Sequence, residues 1–131
     1  MDLNYGLNSI WKVLTPCSKR LEADGKNKID TIVSIGGGSV IDIAKLILAF
    51  LDIDQDVEKI IDGSIKAKVS SVKHISVPTT AGTGSESTHF AVVYNNKKKY
   101  SVAADFLMPK IIVLDGMLFL SNSSNQKAFN G

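Results

Sequence analysis

Three consecutive glycines and a serine, Gly36 to Ser39, stand between a short apolar run and a segment with helical spacing. Glycines let the backbone approach a ligand with no Cβ in the way, and a helix that begins at Ser39 directs free N–H groups and a partial positive charge to the same place. This arrangement suits a phosphate or a pyrophosphate. It matches neither the Rossmann fingerprint, because Ile41 replaces the third glycine, nor a P-loop, which needs Gly-Lys-Ser/Thr. The alternative is a plain turn between a strand and a helix.

A second loop, Pro78 to Glu86 with the sequence PTTAGTGSE, combines hydroxyl side chains with glycines. Hydroxyl groups beside bare backbone suit hydrogen bonds to ribose hydroxyls or to an amide. The alternative is a flexible polar connection, which this composition also favours. The hydroxyl residues are Thr79, Thr80, Thr83 and Ser85.

Both loops follow directly on predicted strands. The β-branched, apolar run Ile29 to Ile35 precedes the first loop and predicts a buried strand, and the run His74 to Val77 precedes the second. In an open α/β sheet, ligands bind beyond the carboxyl ends of the strands. The two loops are therefore expected to share one crevice.

The whole pattern predicts an α/β fold with a mainly parallel sheet and an antiparallel hairpin insertion. Apolar residues from Val40 to Leu51 indicate a helix that packs against a sheet and other helices. The remaining predicted elements are an amphipathic helix that begins at Asn4 and is closed by Gly25, a short helix at VEKIID, a hairpin of FAVVY and KYSV, and a strand from Ile111 to Leu114.

Four side chains near the loops have ordinary structural interpretations. Ser39 is a good N-cap, and Asp42 would then be the N3 acid of a capping box. Lys45 is expected to be an exposed lysine on the helix surface. His74, inside a predicted strand, is interpreted as structural.

Composition and charge exclude several classes of protein. The 131 residues fit one domain, and 44% hydrophobic residues suffice for a packed core. Fifteen basic and thirteen acidic residues leave a net charge of +2, which predicts no nucleic-acid partner. Cys17 is the single cysteine, and no Cys/His cluster has zinc-site spacing. With no signal-peptide pattern and no apolar stretch of bilayer length, a cytoplasmic protein without membrane contact is expected.

The pair of segments GGGSVIDIAK at Gly36 to Lys45 and PTTAGTGSE at Pro78 to Glu86 resembles the paired signatures of the iron-containing (group III) alcohol dehydrogenase family. The resemblance implies a Rossmann-like nucleotide-binding domain followed by a helical domain that holds a divalent metal, iron or zinc. It also implies interconversion of a small alcohol and aldehyde with NAD or NADP. By this resemblance, residues 1–120 are a partial nucleotide-binding domain and residues 121–131 begin the helical domain, so that no metal ligand can be assigned.

The resemblance also implies roles for individual residues. Asp42 matches the family motif and is expected near the cofactor, and Lys99 resembles a family lysine near the cofactor ribose. The implied pyrophosphate cradle comprises Gly36, Gly37, Gly38 and Ser39. The implied loop around the nicotinamide riboside comprises Thr79, Thr80, Thr83 and Ser85.

Within the family, SESTHFAVVY followed by KKYSVAADFLMPKIIVLD is most similar to the phosphonoacetaldehyde reductase branch, whose substrate is an aldehyde bearing a phosphonate. His89 lies in this stretch. It is expected either near the substrate or cofactor, or at the hairpin edge without a catalytic role. The chain departs from the family at Gly116, where a proline is usual.

Two other functions stay open at this point. One is a non-catalytic nucleotide-binding or assembly module, because the family's metal-binding segment is not in the sequence. The other is a relative of dehydroquinate synthase or glycerol-1-phosphate dehydrogenase, which use a similar glycine cradle, although PTTAGTGSE favours the alcohol dehydrogenases. Sheet edges and apolar faces without their usual cover predict self-association.

Overall fold

A computed structural model describes residues 29–51, 57–95, 98–120 and 122. The predicted helix from Asn4, the hairpin turn at 96 and 97, and most of the segment 121–131 lie outside these described residues. The elements in chain order are β1 (Thr31–Gly36), α1 (Gly38–Phe50), α2 (Val57–Ile61), β2 (Lys73–Pro78), β3 (Phe90–Asn95), β4 (Lys98–Ala103), β5 (Ile111–Ile112) and α3 (Gly116–Leu120).

Strands β1, β2 and β5 form a parallel sheet in the order β1-β2-β5. Strands β1 and β2 pair from Thr31 opposite Lys73 to Gly36 opposite Pro78. Because parallel strands in this register end at the same level, the two loops leave the sheet side by side. The prediction that they adjoin is confirmed.

Strands β3 and β4 form a separate antiparallel pair, from Phe90 opposite Ala103 to Asn95 opposite Lys98. This confirms the predicted antiparallel hairpin beside a parallel sheet. Helix α1 contacts both β1 and β3. The core therefore lies where this helix meets the hairpin, and its buried members include Leu46, Leu48, Phe50, Ala91, Val93, Val102 and Leu107.

The two faces of the parallel sheet differ in how far their side chains are buried. Alternate strand residues share a face, and the register puts the buried side chains of Ser34, His74 and Ser76 together on one side. On the other side, Val33 is 54% exposed and Ile35 is 63% exposed. The prediction that β1 is a buried strand is therefore wrong for this face. We call it the open sheet face.

Three further differences from the sequence predictions concern where elements begin and end, and one helix that was not expected. Strand β5 has two residues instead of the four from Ile111 to Leu114, and helix α3 was not predicted. Helix α1 begins at Gly38, before the predicted cap Ser39. In the part of the chain that the structure describes, every helix is too short or too polar to cross a membrane.

Candidate functional site

The start of helix α1 carries no compensating group. Gly37 is the N-cap residue and has no side chain that could make a capping hydrogen bond, and the first turn holds no acidic residue. The prediction of Ser39 as N-cap is wrong, because the Gly37 carbonyl accepts the amides of Val40 (3.0 Å) and Ile41 (3.2 Å) and so begins the helix earlier. First-turn amides have no partner within a helix, and they give its N-terminus a partial positive charge. This end of α1 suits an anion.

Each of the three glycines lies so close to another residue of the protein that a Cβ would not fit. A Cβ on Gly36 would stand 2.7 Å from the Cβ of Val40. A Cβ on Gly37 would stand 2.9 Å from Oγ1 of Thr80, and one on Gly38 would stand 2.9 Å from Cβ of Thr83. The second loop thus packs directly on the first, with Thr80 against Gly37 and Thr83 against Gly38.

The segment 79–84, here called the threonine loop, is fixed at its beginning. The Thr79 amide donates to the Gly36 carbonyl at 2.9 Å, and the Thr79 carbonyl accepts a hydrogen bond from Asn122 Nδ2 at 2.8 Å. Further along, Gly82 has φ 97° and Gly84 has φ 65°, values that favour glycine. Thr83 is exposed between them, and its hydroxyl oxygen accepts a hydrogen bond from the Ser85 amide at 3.4 Å.

Asp42 and Ser85 bond to each other behind this loop. The Ser85 hydroxyl donates to Asp42 Oδ1 at 2.5 Å, and the Val92 amide donates to Asp42 Oδ2 at 3.2 Å. Ser85 is buried. The interpretation of Asp42 as a capping-box acid is wrong, because its carboxylate reaches across to Ser85 and β3 instead of back to its own helix start.

Lys45 was expected on the surface and is instead completely buried, at 0% exposure. Its Nζ donates to the Ser85 carbonyl at 2.5 Å, to Thr88 Oγ1 at 2.9 Å and to the Phe90 carbonyl at 2.9 Å. Burial lowers the pKa of Lys45, while the negative charges of Asp42 and Glu86 act to raise it. The cluster therefore joins a buried cation to carbonyl and carboxylate oxygens.

A sequence signal for this burial exists. Lys45 follows Ile41 by four residues and precedes Leu48 by three, and both of those residues are buried. Such spacing puts Lys45 on the apolar face of the helix. A lysine on that face must find partners or disrupt the packing.

His74 has the structural position that its strand predicts. It is 1% exposed, and its Nε2 lies 2.8 Å from Ser34 Oγ in a hydrogen bond. Burial lowers the pKa of His74 to about 4, and the nearby positive charge of Lys45 acts in the same direction. The imidazole is therefore neutral near pH 7.

Lys99 and His89 lie on the hairpin. Lys99 is exposed on β4, opposite Tyr94 on β3. Tyr94 lies four positions along the strand from Phe90 at the base of the hairpin, which corresponds to about 13 Å at the usual rise per residue. His89 is exposed and makes an edge-to-face contact with Phe90, with ring centroids 5.9 Å apart. That position fits its hairpin-edge interpretation. The other predicted site residues lie in the two loops or at the start of α1, whereas Lys99 lies on the hairpin.

Among the residues that the structure describes, no group of three or more His, Cys, Asp or Glu side chains is placed to hold a metal ion. These residues do not fit the divalent metal that the resemblance implies.

Comparison with known proteins gives matches along most of the chain. The sequence profile of the family described as iron-containing alcohol dehydrogenase matches residues 16–116. An aldehyde-alcohol dehydrogenase of Streptococcus pneumoniae is 38% identical over 106 residues, which cover 72% of this chain and 12% of that protein.

Two solved structures are similar in fold. NADH-dependent butanol dehydrogenase A from Thermotoga maritima matches with TM-score 0.73 and 27% identity, over 89% of this chain and 30% of that one. Sulfoacetaldehyde reductase from Bifidobacterium kashiwanohense, solved in complex with NAD+, matches with TM-score 0.71 and 27% identity, over 82% of this chain and 28% of that one. The chain spans less than a third of each of these three relatives.

Proposed function

The chain belongs to the iron-containing alcohol dehydrogenase family, and we propose that its two loops bind a nicotinamide dinucleotide, NAD or NADP. The observation that carries this proposal is the start of α1, where a helix of 13 residues has neither a side-chain cap nor an acid in its first turn. A diphosphate supplies the negative charge that this helix end lacks. The relative solved with NAD+ gives independent support.

The proposed contacts divide between the loops. The diphosphate lies against the backbone of residues 36–39, where the amides of Gly38 and Ser39 belong to the first turn of α1. Thr79, Thr80 and Thr83 line the side of the nicotinamide riboside. Asp42 and Ser85 are hydrogen-bonded to each other. We propose that they support the cofactor site by holding the end of the threonine loop in place.

The proposed reaction is the interconversion of a small alcohol and an aldehyde. The carbonyl carbon accepts a hydride from the reduced nicotinamide and the carbonyl oxygen takes up a proton, which gives the alcohol and the oxidised cofactor. The names of the relatives support this class of reaction. In it, the described residues supply the cofactor site.

The narrower substrate proposal is an aldehyde that bears a phosphonate. It is supported by the branch-like stretch around His89 and by the sulfoacetaldehyde reductase relative, whose named substrate carries a comparable anionic group. The butanol dehydrogenase relative favours an uncharged substrate. Turnover of phosphonoacetaldehyde, sulfoacetaldehyde and butanal, measured side by side, distinguishes the two.

Titration with NADH and NADPH tests the cofactor proposal. We expect binding by the purified chain, and about ten-fold weaker binding by Gly38→Ala, because the new Cβ displaces Thr83 from the crevice. Gly116→Ala is the matched control, since a Cβ there meets nothing within 4 Å. No binding of either dinucleotide contradicts the proposal. Binding without any aldehyde reduction would assign the chain the non-catalytic role of a nucleotide-binding module.

We also propose that the chain associates with itself through the open sheet face. Val33 and Ile35 on β1 and Ile111 on β5 are each more than half exposed on it. Exposed apolar patches of this kind favour association in water. Light scattering is expected to give a mass above that of one chain, and Ile35→Lys is expected to lower it. A monomer at all concentrations contradicts this proposal.

A further inference from the structure

The most unusual side chain outside the crevice is the buried Lys45. Its amine reaches four oxygens on the segment 85–90: the carbonyl and hydroxyl of Ser85, the hydroxyl of Thr88 and the carbonyl of Phe90. All four follow the threonine loop along the chain. A buried cation with this many oxygen partners is held in one place, because any movement leaves a charge or a carbonyl without a partner.

Asp42 extends the same connection by one helical turn. Its carboxylate lies 3.9 Å from the Lys45 amine and accepts hydrogen bonds from the Ser85 hydroxyl and the Val92 amide. Two side chains of α1 thus hold the whole segment from Ser85 to Val92. The helix whose first turn faces the crevice also fixes the exit of the threonine loop.

Between its ends, the threonine loop is held by the packing of Thr80 and Thr83 on the first loop and by the hydrogen bond from the Ser85 amide to Thr83 Oγ1 at 3.4 Å. Thr79 is bonded to Gly36 and Asn122 at the beginning, and Ser85 is bonded to Lys45 and Asp42 at the end. Between these anchors, Gly82 and Gly84 allow many backbone conformations. The position of the loop threonines over Gly37 and Gly38 therefore depends on the two anchors as well as on this packing.

We propose that Lys45 is a positioning residue that sets the threonine loop for the nicotinamide riboside while leaving the diphosphate contacts of the first loop unchanged. This inference rests on the proposed binding of a dinucleotide. The inference predicts different effects on the two parts of one ligand, the nicotinamide riboside and the diphosphate. Loss of the Lys45 anchor weakens binding of the part that the threonine loop holds, and a merely structural role weakens binding of both parts.

The test compares NADH with ADP, which carries the diphosphate without the nicotinamide riboside. Lys45→Met is expected to raise the Kd for NADH about ten-fold and to leave the Kd for ADP within about two-fold. Thr88→Val removes one acceptor and keeps the charge, so a rise of about three-fold is expected for NADH. It gives the answer if Lys45→Met does not fold. Lys98→Met, at an exposed lysine of β4, is the control.

Hydrogen exchange gives a readout without nucleotide. The amides of Ser87 and Thr88 are bonded within the 3₁₀ turn at Ser85–Ser87, and they are expected to exchange about ten-fold faster in Lys45→Met. The amides that pair β1 with β2 are expected to keep their rates.

The outcomes separate this inference from the proposed function. If the wild-type chain binds neither NADH nor NADPH, the proposed function is wrong and this role falls with it. If the wild type binds NADH and the folded variants bind it equally well, the inference about Lys45 alone is wrong. An equal loss of NADH and ADP binding also overturns it, because that result indicates a structural role.

Discussion

The two loops of the crevice are held in different ways. The first loop, residues 36–39, is fixed by its own backbone, since the Gly37 carbonyl accepts the amides that begin α1. The threonine loop is held at its two ends. Thr79 is bonded to Gly36 and Asn122, and Ser85, which follows the loop, is bonded to the side chains of Lys45 and Asp42. The first loop is therefore a local structure, and the second depends on the packing of the domain. The two loops are expected to respond differently to mutation.

The largest difference is expected from two substitutions in α1. Lys45→Met leaves the carbonyls of Ser85 and Phe90 without their donor, and we expect it to lower the free energy of unfolding by about 3 kcal/mol. Ser39→Ala removes a side chain that makes no capping bond, so a change below about 0.5 kcal/mol is expected. Urea unfolding of both variants measures the contrast. Equal effects would contradict the distinction between the loops.

These two residues also show how far sequence reasoning extends. The strands and the hairpin follow from patterns within a few residues, and the adjacency of the loops follows from the general rule that ligands bind beyond the carboxyl ends of parallel strands, so all of these were predicted. The partners of Lys45 lie 40 to 45 residues away along the chain. Patterns within a few residues do not identify partners at that distance. The burial of Lys45 was therefore missed, although its spacing from Ile41 and Leu48 indicated it.

The start of α1 and the open sheet face were missed for other physical reasons. Ser39 is a favoured N-cap type, but a glycine N-cap needs no side chain and was overlooked. For β1, apolar composition predicted burial on both faces, whereas exposure depends on what packs against each face. Val33 and Ile35 satisfy the strand pattern and stay exposed in the described part of the chain.

A smaller effect on stability is expected from pH, through a histidine in the parallel sheet from which both loops extend. His74 lies on β2 with its pKa lowered from 6.5 to about 4, so the folded state favours the neutral ring. This contribution to stability is complete above pH 6.5 and is lost as the pH falls toward 4. Between pH 7 and pH 5 it amounts to about 2 kcal/mol.

Urea unfolding at both pH values checks this expectation. His74→Leu is expected to remove that part of the pH dependence, and His89→Leu, at the exposed histidine, is expected to retain it. The same pH dependence in both variants would show that His74 is not its source.

A charge placed at the first loop sharpens the comparison further. Ser39→Asp puts an anion in the first turn of α1, which is expected to stabilise the helix by about 0.5 kcal/mol. The same charge repels a diphosphate, and we expect NADH to bind about ten-fold more weakly. Thermal unfolding measures the expected gain in stability, and NADH titration measures the expected loss of affinity. Unchanged NADH affinity would indicate that no diphosphate lies at this helix end.

The smallest effect is expected at Lys99. The resemblance implies a role near the cofactor ribose, whereas the structure puts this lysine on the exposed surface of β4, opposite Tyr94. For Lys99→Met we expect a change in the Kd for NADH of less than about two-fold. A loss of ten-fold or more would restore the role that the resemblance implies.

The most direct test of the account is to follow backbone amide resonances by NMR while NADH is added. We predict that the amides of Gly38 and Ser39 and those of Thr80 and Thr83 shift together, with one common Kd, because the two loops form one dinucleotide site. ADP is predicted to shift the first pair and to leave the second pair nearly unchanged. If saturating NADH leaves all four amides where they are, the loops do not bind a dinucleotide and the central claim is wrong.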